Sequence, residues 1–460
     1  MNEAENEAEN EAELARHIEI LEQRWAEGLA HSGHDLVWLS AGDTSNHFQD
    51  DHGPPFKPHP YFTQWVDPQF AHPGAELLLR PGEKPILFTL TPEDYWHATP
   101  PVPEYLSAHI DIRTFADRES LITACSQSVS TRHKAARIAA DAGDSIDGNA
   151  FPGEPNPPTL LHYMDFHRAI KTEFELQLMR DASRVGVSGH VAARDCFYEG
   201  GSEFDIHMAY LAASRQMEWE LPYENIIAIN ENAATLHYRP QQRTRSESSR
   251  SFLIDAGGNR SGYASDITRS YAAAGDDHAE FRFLIDAMLE HQNRILAQIS
   301  PGVSYASLHA AMHNSLAQVL VDAQICRGEA DKVFESGLTE AFCPHGLGHL
   351  LGIQVHDVGG HIADENGTLA PPPANYPSLR FTRTIETDQV FTIEPGLYFI
   401  ESLLAPHRNS QKTGGLVDWE RAAHLSRYGG IRIEDNVRVL PEGIENLTRD
   451  AWRQVEPGGA

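Results

Sequence analysis

The chain of 460 residues is poor in cysteine: Cys125, Cys196, Cys326 and Cys343 are its only four, and no two form a CxxC pair. That spacing argues against a disulfide framework and fits a reducing compartment, so a cytoplasmic location is expected. Basic residues are also scarce. Thirty-six Lys and Arg stand against 66 Asp and Glu, a formal net charge of −30. Such a field repels phosphate backbones and anionic bilayers, so neither nucleic acid nor a membrane is expected as a partner; divalent cations are compatible with it. No run approaches the ~20 apolar residues that span a bilayer, and no basic start leads into an apolar signal segment. Missing motifs narrow the chemistry further. P-loop, HExxH and GxSxG patterns are absent, and GLGHLLG fails the GxGxxG spacing because Gly352 comes one residue late. Dinucleotide binding, zincin chemistry and a serine nucleophile elbow all lose their usual support.

What is present begins with size. A chain of 460 residues, 41% of them apolar, exceeds one ordinary core and predicts two or three domains. Residues 2–13 read NEAE three times; this acidic tract is expected to be a disordered tail or to extend the helix after it. Leu14, Ile18, Leu21, Trp25 and Leu29 recur at helical spacing and predict a helix over 13–32. Asp35–Ser40 predicts a strand, and AELLLRPGEKPILFTL (75–90) two strands around a Pro-Gly turn. Between them DDHGPPFKPHPYFTQW (50–65) predicts an exposed loop, too polar and proline-broken for a core. These elements make a smaller α/β domain over 14–160, ending at the proline-rich FPGEPNPP of 151–158. Beyond it, apolar stripes predict helices over 173–196 and 278–299, and a third that Ser304 can cap. The runs FLIDAG (252–257), YASDITRSY (263–271), QVFTIEP (389–395) and GIRIEDNVRVL (430–440) read as strands. Helices among mostly antiparallel hairpins predict an α+β catalytic domain over 161–450.

Acids embedded in those strands need an explanation. Asp255 and Asp266 sit on two runs joined by a glycine-containing loop, so a hairpin could aim both into one cleft, where one must protonate unless a cation lies between them. The alternative is that they cap loops or pair with Arg260 and Arg269. Glu394 ends the run VFTIE. Glu434 projects beside Arg432 on the face opposite Ile431 and Ile433, which is also where a solvated glutamate would stand. Three histidines, His345, His349 and His356, lie among glycines in PHGLGHLLGIQVHD (344–357). Oxygen ligands with one imidazole suit Mn²⁺, Co²⁺, Zn²⁺ or Fe²⁺, and two such ions would offset four carboxylates and leave room for a bridging hydroxide.

In order and local context, Asp255, Asp266, His349, Glu394 and Glu434 resemble the dinuclear metal site of the pita-bread (M24-type) metallopeptidases. PHGLGHLLGIQVHDVGG, TIEPGLYFI, GGIRIEDNV and the N-terminal PFKPHPYF loop resemble, within that family, the bacterial prolidase and organophosphorus acid anhydrolase branch. The resemblance implies a pita-bread catalytic domain behind a smaller N-terminal domain, with two divalent ions per subunit, Mn²⁺ foremost and Co²⁺ or Zn²⁺ as alternatives. Asp255 would bind one metal and His349 the other, with Asp266 and Glu434 bridging. Glu394 would ligate the second metal and carry the proton to the leaving nitrogen. His237 and His356 match substrate-side histidines that orient the carbonyl and stabilise the oxyanion, and His345 matches a pocket position. A homodimer is also implied, its N-terminal domain closing the neighbour's site; Asp50, Asp51 or Trp65 are candidates there.

The implied reaction is hydrolysis of Xaa-Pro dipeptides by a metal-bridged hydroxide. Proline at P1′ makes an imide without an N–H, which this chemistry does not need. Arg432, with Arg380 and Arg383 as further candidates, is placed to bind the free carboxylate of a small peptide substrate. The competing role for Arg432 is pairing with the metal-site acids. Tyr223 and Tyr305 are candidates for a small pocket, with core packing as the alternative. Other readings are an Xaa-Pro aminopeptidase acting on longer peptides, a metal-free pita-bread binding protein, and a side activity on organophosphate triesters.

Overall fold

A computed structural model describes residues 3–92, 95, 102–140 and 153–457, and the chain divides into two compact units. The first comprises Met1–Arg168, Thr172–Gln177 and Asp364–Thr368; the second comprises Ala169–Lys171, Leu178–Ala363 and Leu369–Ala460. Residues 151 and 152 of the expected proline-rich boundary lie outside the described residues.

In the first unit the chain runs through α1 (Glu3–Ser32), β1 (Leu36–Ser40), α2 (Pro60–Thr63), β2 (Glu76–Leu79) and β3 (Ile86–Leu90). It continues through α3 (Glu104–Ser107), β4 (Asp111–Phe115), α4 (Arg118–Ser128), β5 (Ala135–Ile138), β6 (Glu154–Pro155) and α5 (Pro158–Arg168). The strands form one mixed sheet in the order β4-β3-β2-β1-β5-β6. Side-chain alternation explains why β1 is apolar throughout: Val37 and Leu39 enter one core, Leu36 and Trp38 the other. Ile18, Leu21, Trp25 and Leu29 of α1 cover the first of these cores, as their spacing predicts. The NEAE tract continues α1 back to Glu3, the second of the two expectations for it, because alanine and glutamate are strong helix formers.

The exposed loop expected at 50–65 ends sooner. Residues 43–55 are exposed, but Tyr61, Phe62 and Trp65 are core residues. Pro60 does not break this segment; it opens α2, where a missing N–H costs nothing, and the His59 side chain accepts from the Tyr61 N–H. Trp65 is therefore packed within its own unit rather than offered to a neighbour, while Asp50 and Asp51 are exposed.

The second unit contains α6 (Glu173–Tyr198) from Leu178 onward, α7 (Glu203–Ser214), β7 (Ile226–Ile229), β8 (Ser251–Asp255), β9 (Asn259–Arg260), β10 (Tyr263–Ala264) and β11 (Thr268–Ala272). Next come α8 (Ala279–Leu296) and α9 (Tyr305–Asp322). Shorter helices intersperse the last strands, β12 (Val390–Ile393), β13 (Gly396–Tyr398), β14 (Gly430–Arg432), β15 (Asp435–Val439) and β16 (Ile444–Asn446). All paired strands here are antiparallel, in the orders β11-β8-β7, β12-β15-β16, β13-β14 and β10-β9. This is the helix-and-hairpin α+β arrangement the sequence predicts. Ser304 holds the N-cap position of α9 but makes no side-chain cap bond.

Two predicted strands are broken. YASDITRSY pauses between β10 and β11, and GIRIEDNVRVL between β14 and β15. Each pause carries an acid, Asp266 or Glu434, out of the regular ladder, and a bridge between Thr268 and Glu434 joins the two places. Asn436 anchors the first: its Oδ1 accepts from the Asp266 N–H at 3.0 Å and its Nδ2 donates to the Asp266 carbonyl.

Candidate metal centre and active site

Asp255 at the end of β8, Asp266 before β11, His349, Glu394 after β12 and Glu434 before β15 gather at one place in the second unit. One ligand atom each from Asp266, His349 and Glu434 falls within 4.8 Å of the others. Glu394 stands 3.8 Å from His349 Nε2, and Asp266 Oδ2 stands 3.4 Å from it. Asp255 is tied in through Tyr223, whose hydroxyl lies 2.8 Å from Asp255 Oδ1 and 2.6 Å from Asp266 Oδ1. Glu434 is not on a solvated face. It is 2% exposed, and Thr268 Oγ1 donates to its Oε2 at 2.7 Å.

Burial and mutual repulsion decide the charge states. Burial, reinforced by Asp266, Glu394 and Asp255, pushes Glu434 well above the carboxylate range. Burial raises Glu394 to about 7 against the pull of His349 and Arg432. Asp255 is raised by burial, which Arg432 opposes, whereas at Asp266 contacts with His349 outweigh burial and lower it. Acids crowded this way hold protons unless cations replace them.

His349 is prepared as a ligand. Its Nδ1 faces the Leu350 carbonyl at 3.0 Å and must donate to it, which leaves the Nε2 lone pair directed at Asp266 and Glu394. The single Tyr223 proton cannot satisfy two carboxylates, a conflict that a cation between them removes. The donor set of four carboxylates and one imidazole therefore fits divalent metal, with chemistry typical of Mn²⁺, Co²⁺ or Zn²⁺.

Other candidate residues divide. His356 is exposed, and its ring meets that of His349 at 4.4 Å, edge to face. Partial desolvation of its ring, followed by the neighbouring His349, lowers it to about 4, so it is neutral at pH 7. His237 and Arg380 are exposed. His345 Nδ1 donates to the Gly346 carbonyl at 2.8 Å, and its Nε2 accepts from Tyr398 at 2.9 Å. Arg432 departs from the expected carboxylate-binding role. It is 4% exposed and donates to Asp255 (2.6 Å), Tyr398 (2.9 Å) and Thr268 (3.1 Å), so the competing role of pairing with the metal-site acids is the one observed. Arg383 is buried and pairs with Glu386. Tyr305 takes the core-packing alternative: it is fully buried against Phe381 and Phe391 and donates to the Thr392 carbonyl at 2.8 Å. Sequence reasoning missed Tyr398 and Asn436, which neither charge nor spacing marks.

Residues 177–441 match metallopeptidase family M24, more than half of the chain. The chain belongs to that family. Residues 12–166 match the Xaa-Pro dipeptidase N-terminal domain. An Xaa-Pro dipeptidase of Aeromonas hydrophila is 43% identical over 443 residues, covering 95% of this chain and 98% of the relative. One from Shewanella pealeana is 41% identical over 447 residues, with 94% and 97% covered. Among solved structures, Pseudomonas aeruginosa aminopeptidase PepP aligns with a TM-score of 0.74 at 22% identity, covering 96% of this chain and 95% of that one. A variant of Escherichia coli aminopeptidase P in complex with substrate aligns at 0.71 and 21%, covering 94% of each chain. Those two likenesses establish the pita-bread fold with its preceding N-terminal domain. As an M24 metallopeptidase this chain is a metal-dependent hydrolase, and its buried acids and His349 make up its candidate metal centre.

Proposed function

We propose that this M24 protein is an Xaa-Pro dipeptidase with two divalent ions, Mn²⁺ foremost, held by Asp255, Asp266, His349, Glu394 and Glu434. The observation that carries this reading is that Asp266, His349 and Glu434 meet within reach of one ion, with Glu394 beside His349 and Asp255 joined through Tyr223, in a chain about 40% identical to Xaa-Pro dipeptidases over nearly its whole length. When bound, such ions polarise a carbonyl and make water acidic enough to attack near neutral pH.

This chain's own groups supply the rest. Glu394 accepts the proton of the attacking water and delivers it to the imide nitrogen as the bond to proline breaks. His237 and His356, both exposed, orient the scissile carbonyl and donate to the oxyanion. Arg432, already committed to Asp255, fixes that acid. The free carboxylate of the dipeptide falls to exposed Arg380. Working as a homodimer in the cytoplasm completes the proposal; the exposed 43–55 segment, with Asp50 and Asp51, supplies the surface that reaches a second copy.

The test is a substrate panel for protein reconstituted with Mn²⁺. An Xaa-Pro dipeptide is expected to be hydrolysed with kcat/KM at least about tenfold above that of an Xaa-Pro-Yaa tripeptide, a gap of ~1.4 kcal/mol. Preference for the tripeptide would overturn the assignment in favour of an aminopeptidase.

A further inference from the structure

The loop after His349 is short, and an ion pair holds it from beneath. Lys171 Nζ lies 2.9 Å from Asp357 Oδ2, with both side chains only 1% exposed. Asp357 follows His356 directly, so whatever fixes the aspartate fixes the backbone from which the exposed imidazole projects over His349. Further ties to this loop include the Asp357 N–H donating to the Leu350 carbonyl at 2.9 Å, the Ala264 N–H donating to the Gly352 carbonyl at 2.9 Å, and the Val358 N–H donating to Asp357 Oδ1 at 3.0 Å. Lys171 is itself tethered, its N–H donating to the Asp388 carbonyl at 2.9 Å just ahead of β12. Gly352 leaves the room the pair occupies. A Cβ there would meet Asp357 Oδ2 and stand 2.9 Å from Lys171 Nζ.

A buried ion pair contributes little net stability compared with apolar residues of the same size, yet it fixes geometry strongly, because neither charge can leave the other. Here the geometry fixed is the reach of His356. We infer that Lys171 and Asp357 are positioning residues for His356, setting where its imidazole meets the substrate. The inference rests on the substrate-side role proposed above for His356.

The test is a double-mutant cycle on the Mn²⁺-reconstituted full chain, with hydrolysis of an Xaa-Pro dipeptide as the readout. Asp357→Asn and Lys171→Met each remove one charge. Gly352→Ala displaces the pair while keeping both charges, and it touches only the ends of side chains, so folding survives even if the charge variants lose it. Each is expected to lower kcat roughly ten- to a hundredfold with KM nearly unchanged, since a misplacement of about 1 Å has that effect. In a His356→Ala background the same changes should alter kcat less than about twofold. An equal loss in both backgrounds would mean a merely structural role and overturn the inference, as would folded variants with wild-type kcat. Wild-type kcat for His356→Ala alone would instead remove the role of His356, and with it the ground for the positioning pair.

Discussion

Glu394 is the residue on which chemistry and architecture press hardest. It lies beside His349 and His345 and is half-buried, and it takes its place at the end of β12 through a backbone bond from its N–H to the Leu347 carbonyl at 2.8 Å. Glu394→Gln keeps size and hydrogen bonding but cannot carry a proton. Its kcat is expected to fall by about 10²–10⁴ while the circular dichroism spectrum and melting temperature stay close to wild type. Near-normal turnover would take Glu394 out of the mechanism. The acids themselves were legible in the sequence, because a carboxylate inside a β-run is costly unless something compensates it. Which of those acids Arg432 would meet was not. Strand alternation puts Arg432 and Glu434 on one face, but only the folded chain shows that Arg432 reaches past its neighbour to Asp255, 177 residues away.

At the scale of elements, the metal wall depends on β12 and the segment beside it. The His349 N–H donates to Thr392 Oγ1 at 3.1 Å and the Thr392 N–H donates to the His349 carbonyl at 2.9 Å, while Gly348 lies against both Thr392 oxygens and the Tyr305 hydroxyl. No side chain fits there. Gly348→Ala should push His349 away from β12 at a cost of about 1–3 kcal/mol. It should also weaken Mn²⁺ binding roughly 10–100-fold in titration calorimetry; unchanged affinity would show that the approach of Gly348 to β12 does not matter for the metal. Periodicity located most strands and long helices here to within a few residues. It failed at the pauses before β11 and β15, where an apolar alternation continues through real interruptions, the first anchored by Asn436 from far along the chain and the second tied by the Thr268–Glu434 bridge. It failed again at Tyr61–Trp65, where prolines were read as breakers although one of them starts a helix.

On the scale of the whole molecule, the two units have separate cores, and the buried acids grouped around His349 belong to the second. Without cations, that unit must hold protons on Glu394 and Glu434 and lose whatever the ions contribute to the folded state. Removing metal with a chelator should therefore lower the calorimetric transition of the second unit and spare that of the first. Restoring Mn²⁺ to a hundred times its dissociation constant should recover about 3 kcal/mol. A profile unmoved by chelation would mean that the acids hold no ion in the folded protein. The net charge of −30 points the same way but could not have located the site, since most of the 66 acidic residues lie elsewhere.

The bridge between Thr268 and Glu434 joins points 166 residues apart and closes the ligand set. During synthesis the first two acids leave the ribosome long before Glu434, so the nascent chain carries an unfinished site while the 166 residues that follow Thr268, ending with Glu434, are made. Ion loading is thus a step that follows the completion of the polypeptide, and a product truncated even slightly before its final strands would be born unable to hold its metals.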